Sequence, residues 1–392
     1  MAPIPRLRDY SGPAILSYGF RPFFLMGALQ AALAMVLLLP LWFGWIDVPT
    51  AFAPRDWHVH ELLYGYLPAV TTGFLLTAIP NWTGRMPLQG NPLLGLVLLW
   101  AAGRPAVAFS AVIGWQAAAA IDCAFLIGVV LVVAREVVTG RNWRNLPVLL
   151  LVTCFALGNV TFHIEAARHG TAETGIRIGL AVAILLVMLI GGRIIPSFTR
   201  NWLARRGEGR LPVPFGRFDI VSLAIGLAAL AAWAAAPQSA WTAASLILAG
   251  CIQAVRLARW AGDRTLSDRL VLILHLGYVF VPIGFVLLGA GIWGLVPETA
   301  GIHAWTGGAI GAMTLAVMTR ASLGHTGRDL VADRATEAVF GLVLVAAVAR
   351  IGAALVPSAA WLLWIAGLAW VAAFAGFALA YGPILCRPRL SR

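Results

Sequence analysis

The stretch RLVLILHLGYVFVPIGFVLLGAG, residues 269–291, decides the fold class. Beyond Arg269 it carries no charged side chain, and a single histidine, His275, interrupts the apolar run. About 20 apolar residues in a helix cross the hydrocarbon core of a bilayer, so this segment reads as a membrane span. Working outward from it, residues 19–45, 57–80, 92–112, 115–135, 146–167, 175–197, 218–236, 239–259, 302–323, 336–356 and 359–384 read the same way. The expected fold is an all-α, polytopic membrane protein of about twelve transmembrane helices. Residues 1–392 are expected to form a single integral membrane domain. The Arg- and Gly-rich connection 198–217 divides its helices into a first group, 19–197, and a second, 218–384.

Composition agrees. Hydrophobic residues make up 60% of the chain and charged residues only 11%, against about 25% charged in ordinary soluble domains. The net charge of +12 in a soluble protein would suggest nucleic acid. Here every one of the 28 basic residues is arginine. With the N-terminus in the cytoplasm, all but Arg55, Arg104, Arg168, Arg177 and Arg350 fall at cytoplasmic ends or loops, the positive-inside pattern. Both termini are then expected in the cytoplasm of a bacterial cell, with the lipid bilayer of the inner membrane as solvent and no nucleic-acid partner. Cys123, Cys154, Cys251 and Cys386 are far apart and form no CxxC pair, which argues against a disulfide framework or a thiolate zinc site. No cleavable signal is expected, because the first apolar stretch is too long for a signal-peptide core.

A faint internal echo is present. The second helix ends in Asn81-Trp82-Thr83-Gly84-Arg85, the sixth in Phe198-Thr199-Arg200-Asn201-Trp202 and the tenth in His325-Thr326-Gly327-Arg328. These helices lie four apart and run the same way, which suggests three four-helix units.

Ionisable groups inside a membrane are costly and mark functional positions by default. His58 and His60 open the second helix, His163 lies near the end of the fifth, and His303 opens the tenth, all on the periplasmic side. His275 and His325 lie toward the cytoplasm, and His169 sits in a loop. His303 and His325 are separated by about 33 Å of helix and cannot share a metal. Two levels of metal binding are expected, one toward each face. On a helix, His58 and His60 point about 200° apart and serve different ions; with residue 58 still in the loop, both reach one. Imidazole suits copper and iron, and Asp56, Glu61 and Glu165 are placed to orient a ligand's second nitrogen or relay protons. The plain alternative for any one membrane histidine is an interhelical hydrogen bond worth about 1 kcal/mol. Arg85, Arg193, Arg320 and Arg328 are candidates to hold carboxylates of a cofactor in bidentate pairs. No nucleotide loop, serine triad or CxxCH motif is present, so any haem is held non-covalently.

Four blocks then resemble one family: Ser17-Tyr18-Gly19-Phe20-Arg21-Pro22-Phe23-Phe24; Trp57-His58-Val59-His60-Glu61 running on through residues 73–85; Gly192-Arg193-Ile194-Ile195-Pro196-Ser197-Phe198-Thr199-Arg200-Asn201; and His303-Ala304-Trp305-Thr306 through residues 318–328. The chain resembles NnrS, bacterial haem- and copper-containing membrane proteins of the nitric oxide response. The resemblance implies haem b and copper as cofactors. It implies nitric oxide as ligand or substrate; the electron donor stays open between a quinol and cytochrome c. The expected activity is reduction of NO to N2O at a haem–copper centre built from His58, His60, Glu61, His163 and His303. A second haem is expected at His275 and His325, and Arg85, Arg193 and Arg320 are expected to bind haem carboxylates. The alternatives are an NO- or haem-binding protective protein without turnover, and a metal or haem transporter.

Overall fold

The computed structural model describes residues 10–83 and 86–390, and the side chains of all of these except residues 80–83. Every long element among them is helical. Eleven helices are long and apolar enough to cross a membrane: α1 (Phe20–Trp42), α2 (Pro54–Ile79), α3 (Gly90–Ala108), α4 (Trp115–Thr139), α5 (Trp143–His169), α6 (Glu173–Leu203), α7 (Arg217–Ala235), α8 (Ala240–Ala258), α9 (Arg269–Ile292), α11 (Arg334–Leu355) and α12 (Trp361–Cys386). The segment expected as the tenth span forms one helix, α10, without a break through Glu298–His303, Ala304–Ile310 and Gly311–His325. It stands apart from the eleven in character. His303, Thr306, Gly307, Gly308, Gly311, Thr314, Thr319 and Arg320 thin its apolar content. The physical reason is its surroundings: Ala304, Trp305, Ala309, Ala312, Leu315 and Ala316 are packed against protein with no exposed surface, so lipid does not dictate its composition.

Burial sorts the other helices likewise. The apolar windows of α2, α6 and α9 are 78%, 67% and 67% buried, whereas those of the remaining eight run from 33% to 44%. The former are mostly surrounded by protein, and the latter turn an apolar face outward. Leu131, Leu150, Ile220, Val348, Leu368 and Leu379 are exposed in this way, as lipid-facing residues of a membrane helix are.

The chain forms two compact units. The first takes residues 1–179, 321–329 and 374–392; the second takes 180–320 and 330–373. In the first, α1 packs on α2, α3 on α4 and α4 on α5. Arg21, buried near the start of α1, donates from Nη1 to the carbonyls of Leu385 and Arg387 at 2.8 and 2.6 Å. It thereby satisfies orphan carbonyls at the C-terminus of α12. In the second unit, α7, α8, α9, α10 and α11 pack each on the next.

Three π-helical segments interrupt the helices: Glu61–Tyr66 in α2, Val187–Gly191 in α6 and Ala304–Ile310 in α10. They fall on the same three helices whose C-terminal motifs echo one another. In α2 and α10 the match extends to register. Pro54, His60, Gly65, Ala69 and Thr83 recur at identical spacing as Pro297, His303, Gly308, Ala312 and Thr326, and each histidine immediately precedes the π segment. Packing repeats too. A side chain at Gly27 of α1 would meet Val70 and Ala69 at 3.1 and 3.5 Å, and one at Gly277 of α9 would meet Ala312 and Met313 at 3.2 Å. These are corresponding positions of α2 and α10, so the pairs α1–α2 and α9–α10 close on each other through the same glycine contact.

Asp333 caps α11, its Oδ1 accepting the Thr336 N–H at 2.8 Å. The bonds from Thr336 hold this carboxyl below its ordinary value. A group so lowered adds stability above its unfolded pKa and loses it as pH falls through its folded value. Asp333→Ala is expected to cost about 1 kcal/mol, read as a lower thermal midpoint near neutrality, with the gap from wild type closing on acidification.

Candidate metal centre

Four helices of the first unit converge on one buried carboxylate. α2 begins with Pro54 at a position that tolerates the missing N–H, and its first two turns end at His60. There the π segment takes over, bringing Glu61, Tyr64 and Gly65 to the inner side. α4 contributes Asp122 from a run of alanines. α5 contributes Asn159 and His163, four residues apart and so on one face. α3 contributes Arg104. His60, Glu61, Asp122, Asn159 and His163 are all buried.

Asp122 is the hub. Its Oδ2 lies 3.2 Å from His60 Nε2 and 3.1 Å from His163 Nε2, and accepts the Asn159 Nδ2–H at 2.8 Å. Its Oδ1 accepts from Arg104 Nη2. Arg104 Nη1 donates to Glu61 Oε1 at 2.8 Å, and Glu61 Oε1 is also 3.2 Å from His60 Nδ1. Gln30 of α1 donates to the other Glu61 oxygen. The Asn159 carbonyl stands 3.1 Å from His60 Nε2. Aromatic rings wall the cluster. Phe52 is 5.4 Å from both imidazoles, Phe162 is 5.1 Å from His60, and Tyr64 is 5.8 Å from His60. The two imidazoles meet edge to face at 5.0 Å.

His60, Asp122 and His163 each offer a ligand atom, all within 4.8 Å of one another. Two imidazole nitrogens and a carboxylate oxygen form a donor set suited to copper, iron or zinc, and the fit is geometric as well as chemical. Both nitrogens of His60 face oxygen acceptors, an arrangement that asks for a positive charge, as imidazolium or as a bound cation.

The sequence-selected residues separate as follows. His60 and His163 come together, and Glu61 orients His60. His58 is helical in the same turn, about 200° round the axis from His60, and is not among the three clustered ligand atoms. Asp56 and Glu165 turn to backbone instead, accepting the N–H groups of Ala172 and Gly175 at 3.1 and 2.8 Å. His303, half-buried in the second unit, has Nδ1 3.4 Å from Thr306 Oγ1. It holds the position of His60 in the repeat, with Ala304 where Glu61 stands. His275, also in the second unit, meets Thr199 Oγ1 at 2.8 Å through Nε2. Its Nδ1 is buried without a hydrogen-bond partner among the described residues and lies over Gly262, where a Cβ would collide with it. His325, in the first unit, is 5.8 Å from the Tyr18 ring and 5.5 Å from that of Phe20. Arg193 is exposed, Arg320 lies over Phe198 at 4.1 Å, and Arg328 donates to Thr326 Oγ1 at 2.9 Å. Arg85 lies outside the described residues.

Asp122, Arg104, Asn159 and Gln30 escaped sequence reading. For two of them a signal existed. Asp122 is a carboxylate inside an apolar span, and Arg104 is one of five arginines that break the charge asymmetry.

The NnrS protein family model matches residues 14–389. The chain belongs to the NnrS family. This is a family linked to the nitric oxide response. No curated protein matches it. Within this NnrS-family chain, two of the sequence blocks meet in space, since Tyr18 of the first and His325 of the last stack on each other.

Removing Asp122 leaves a buried guanidinium and two imidazoles without their shared acceptor. Asp122→Ala is expected to destabilise the protein by about 3–5 kcal/mol, measured as a fall in thermal midpoint in detergent. Asp122→Asn, which keeps the shape, is expected to fall less.

Proposed function

We propose that this NnrS-family protein holds copper at His60, His163 and Asp122, holds haem b non-covalently, and reduces nitric oxide: two NO, two electrons and two protons yield N2O and water. The observation that carries the reading is the convergence of two imidazoles and a carboxylate within 4.8 Å in a buried, aromatic-walled site. The proposed haem ligands are four of the other five histidines, His58, His275, His303 and His325. The unbonded, buried Nδ1 of His275 over Gly262 and the ring shelf of Tyr18 and Phe20 beside His325 suit such a group. Arg193, Arg320 and Arg85 are proposed for its carboxylates. Bound, the metals supply the NO-binding positions and the electrons.

The chain's own residues do the rest. Glu61 holds the Nδ1 side of His60 and fixes the direction of Nε2, the role of an outer partner to a metal-binding imidazole. Asn159 and Arg104 hold Asp122 by one oxygen each. Phe52, Phe162 and Tyr64 exclude bulk water, and Tyr64 is pinned through its hydroxyl to the Gly175 carbonyl at 2.6 Å. Glu61 is the proposed proton-relay group nearest the centre. We place the protein in the bacterial inner membrane with both termini cytoplasmic and a quinol or cytochrome c as electron donor.

The purified protein is expected to carry haem and copper, and to form N2O from NO when given an electron donor. His60→Ala and His163→Ala are expected to lose copper. A chain loaded with both metals that forms no N2O overturns the reductase reading. An NO-shifted haem spectrum without N2O would instead indicate capture of NO without turnover, and flux of metal or haem across vesicles would indicate transport.

A further inference from the structure

The charges around the centre do not cancel. Glu61 and Asp122 contribute two carboxylates. Arg104 contributes one guanidinium, which stays charged in any protein environment. It donates to both carboxylates, to Glu61 at 2.8 Å and to Asp122. A metal-binding imidazole is neutral, so His60 and His163 add nothing. Asn159 and Gln30 complete the polar neighbours and are uncharged. The nearby ionic group of Arg55, Asp56 and Glu173 is a separate set with its own pairings. With both imidazoles neutral as metal ligands, the groups that would surround a bound ion sum to one negative charge, inside helices that cross a membrane, where uncompensated charge is expensive.

The structure builds this balance deliberately. Gly65 lies in the π segment of α2, and a Cβ there would fall on Arg104 Nη1. A Cβ at Gly103 would sit 2.8 Å from Asp122 Oδ1. Both glycines clear the space in which the guanidinium reaches its two carboxylates. Trp100, one turn before Arg104 on α3, lies 6.0 Å from the guanidinium carbon and is itself tied to the Gly65 carbonyl at 2.8 Å. The guanidinium is therefore fixed from three sides and is not a side chain that has merely found a surface partner.

We propose that the centre is matched to a singly charged metal ion, and that Arg104 sets this preference by cancelling one of the two carboxylate charges. The inference rests on the metal reading of the preceding section and adds the charge of the ion. A monovalent cation such as cuprous copper makes the buried group neutral; a divalent ion leaves it with one excess positive charge. Two imidazole nitrogens that meet at one carboxylate oxygen also suit the low coordination number that a cuprous ion accepts. Arg104 acts through Asp122 and Glu61 and is a positioning residue.

The test is competitive metal retention by the purified full-length protein in detergent, with silver(I) as a redox-inert monovalent probe and zinc(II) as the divalent one. Arg104→Gln adds one net negative charge and is expected to lower the silver-to-zinc retention ratio by about tenfold, the smaller end of what outer-partner changes do to metal affinity. Glu61→Gln removes one and is expected to raise the ratio. Arg104→Lys keeps the charge and is expected to keep the ratio while losing total affinity, since an ammonium does not span two carboxylates as a fork does. A purely structural role for Arg104 weakens both metals together and leaves the ratio unmoved in all three variants. That result, or a shift of the same sign in Arg104→Gln and Glu61→Gln, overturns the inference while leaving the metal site standing. Wild-type protein that retains neither ion overturns the metal site and this inference with it.

Discussion

The buried contact between Asp122 and Arg104 is the constraint on which the first unit turns. A lone carboxylate in the middle of an apolar helix is too costly to leave unsatisfied, and a guanidinium on a neighbouring helix is equally so. Each is tolerable because the other is present, and because His60, His163, Asn159 and Glu61 fill the remaining hydrogen-bonding positions. Breaking one member leaves the others stranded in a medium without water. The geometry of α2, α3, α4 and α5 is therefore tied to a single polar knot. Helix packing between apolar surfaces in lipid gains little from the hydrophobic effect, so such a knot specifies register where greasy faces do not.

The knot also sits at the π segment that follows His60. His60 and Tyr64, four residues apart, share a face of the helix, and Glu61 beside His60 reaches Arg104, so the winding changes where the buried side chains meet, as π segments do at functional sites. The corresponding segment in α10 follows His303, yet its surroundings hold no acid at the position of Glu61. Two copies of one helical design thus differ in what was added to them. Among the described residues, the group of two imidazoles and a carboxylate that could hold an ion lies in the first unit.

The proposed reaction calls for a site that is dry and polar at its heart, and the first unit offers an aromatic wall around a charged core. The proposed charge balance adds a preference for the state of the metal. A centre whose buried charge is neutral with a monovalent ion resists the divalent state, and that bias is a means by which a protein tunes a metal with residues that never touch it.

Much of this protein was legible in its residues alone. Hydropathy reports what lipid demands of each helix, so the spans, the all-α class and the family blocks could be read without coordinates, and α10 was recognisable although protein rather than lipid surrounds it. The histidines stood out because an ionisable group in an apolar helix is conspicuous. What the sequence could not decide is which of them meet. His58 and His60 are separated by one residue yet face opposite ways, whereas His60 and His163 lie far apart in the chain and touch the same oxygen. Pairing across helices depends on rotation about each helix axis, and the outward faces that hydropathy reports do not set that rotation. It was set by the tertiary contacts of Asp122 and Arg104, two residues whose chemistry is visible in the sequence and whose partnership exists only in the fold.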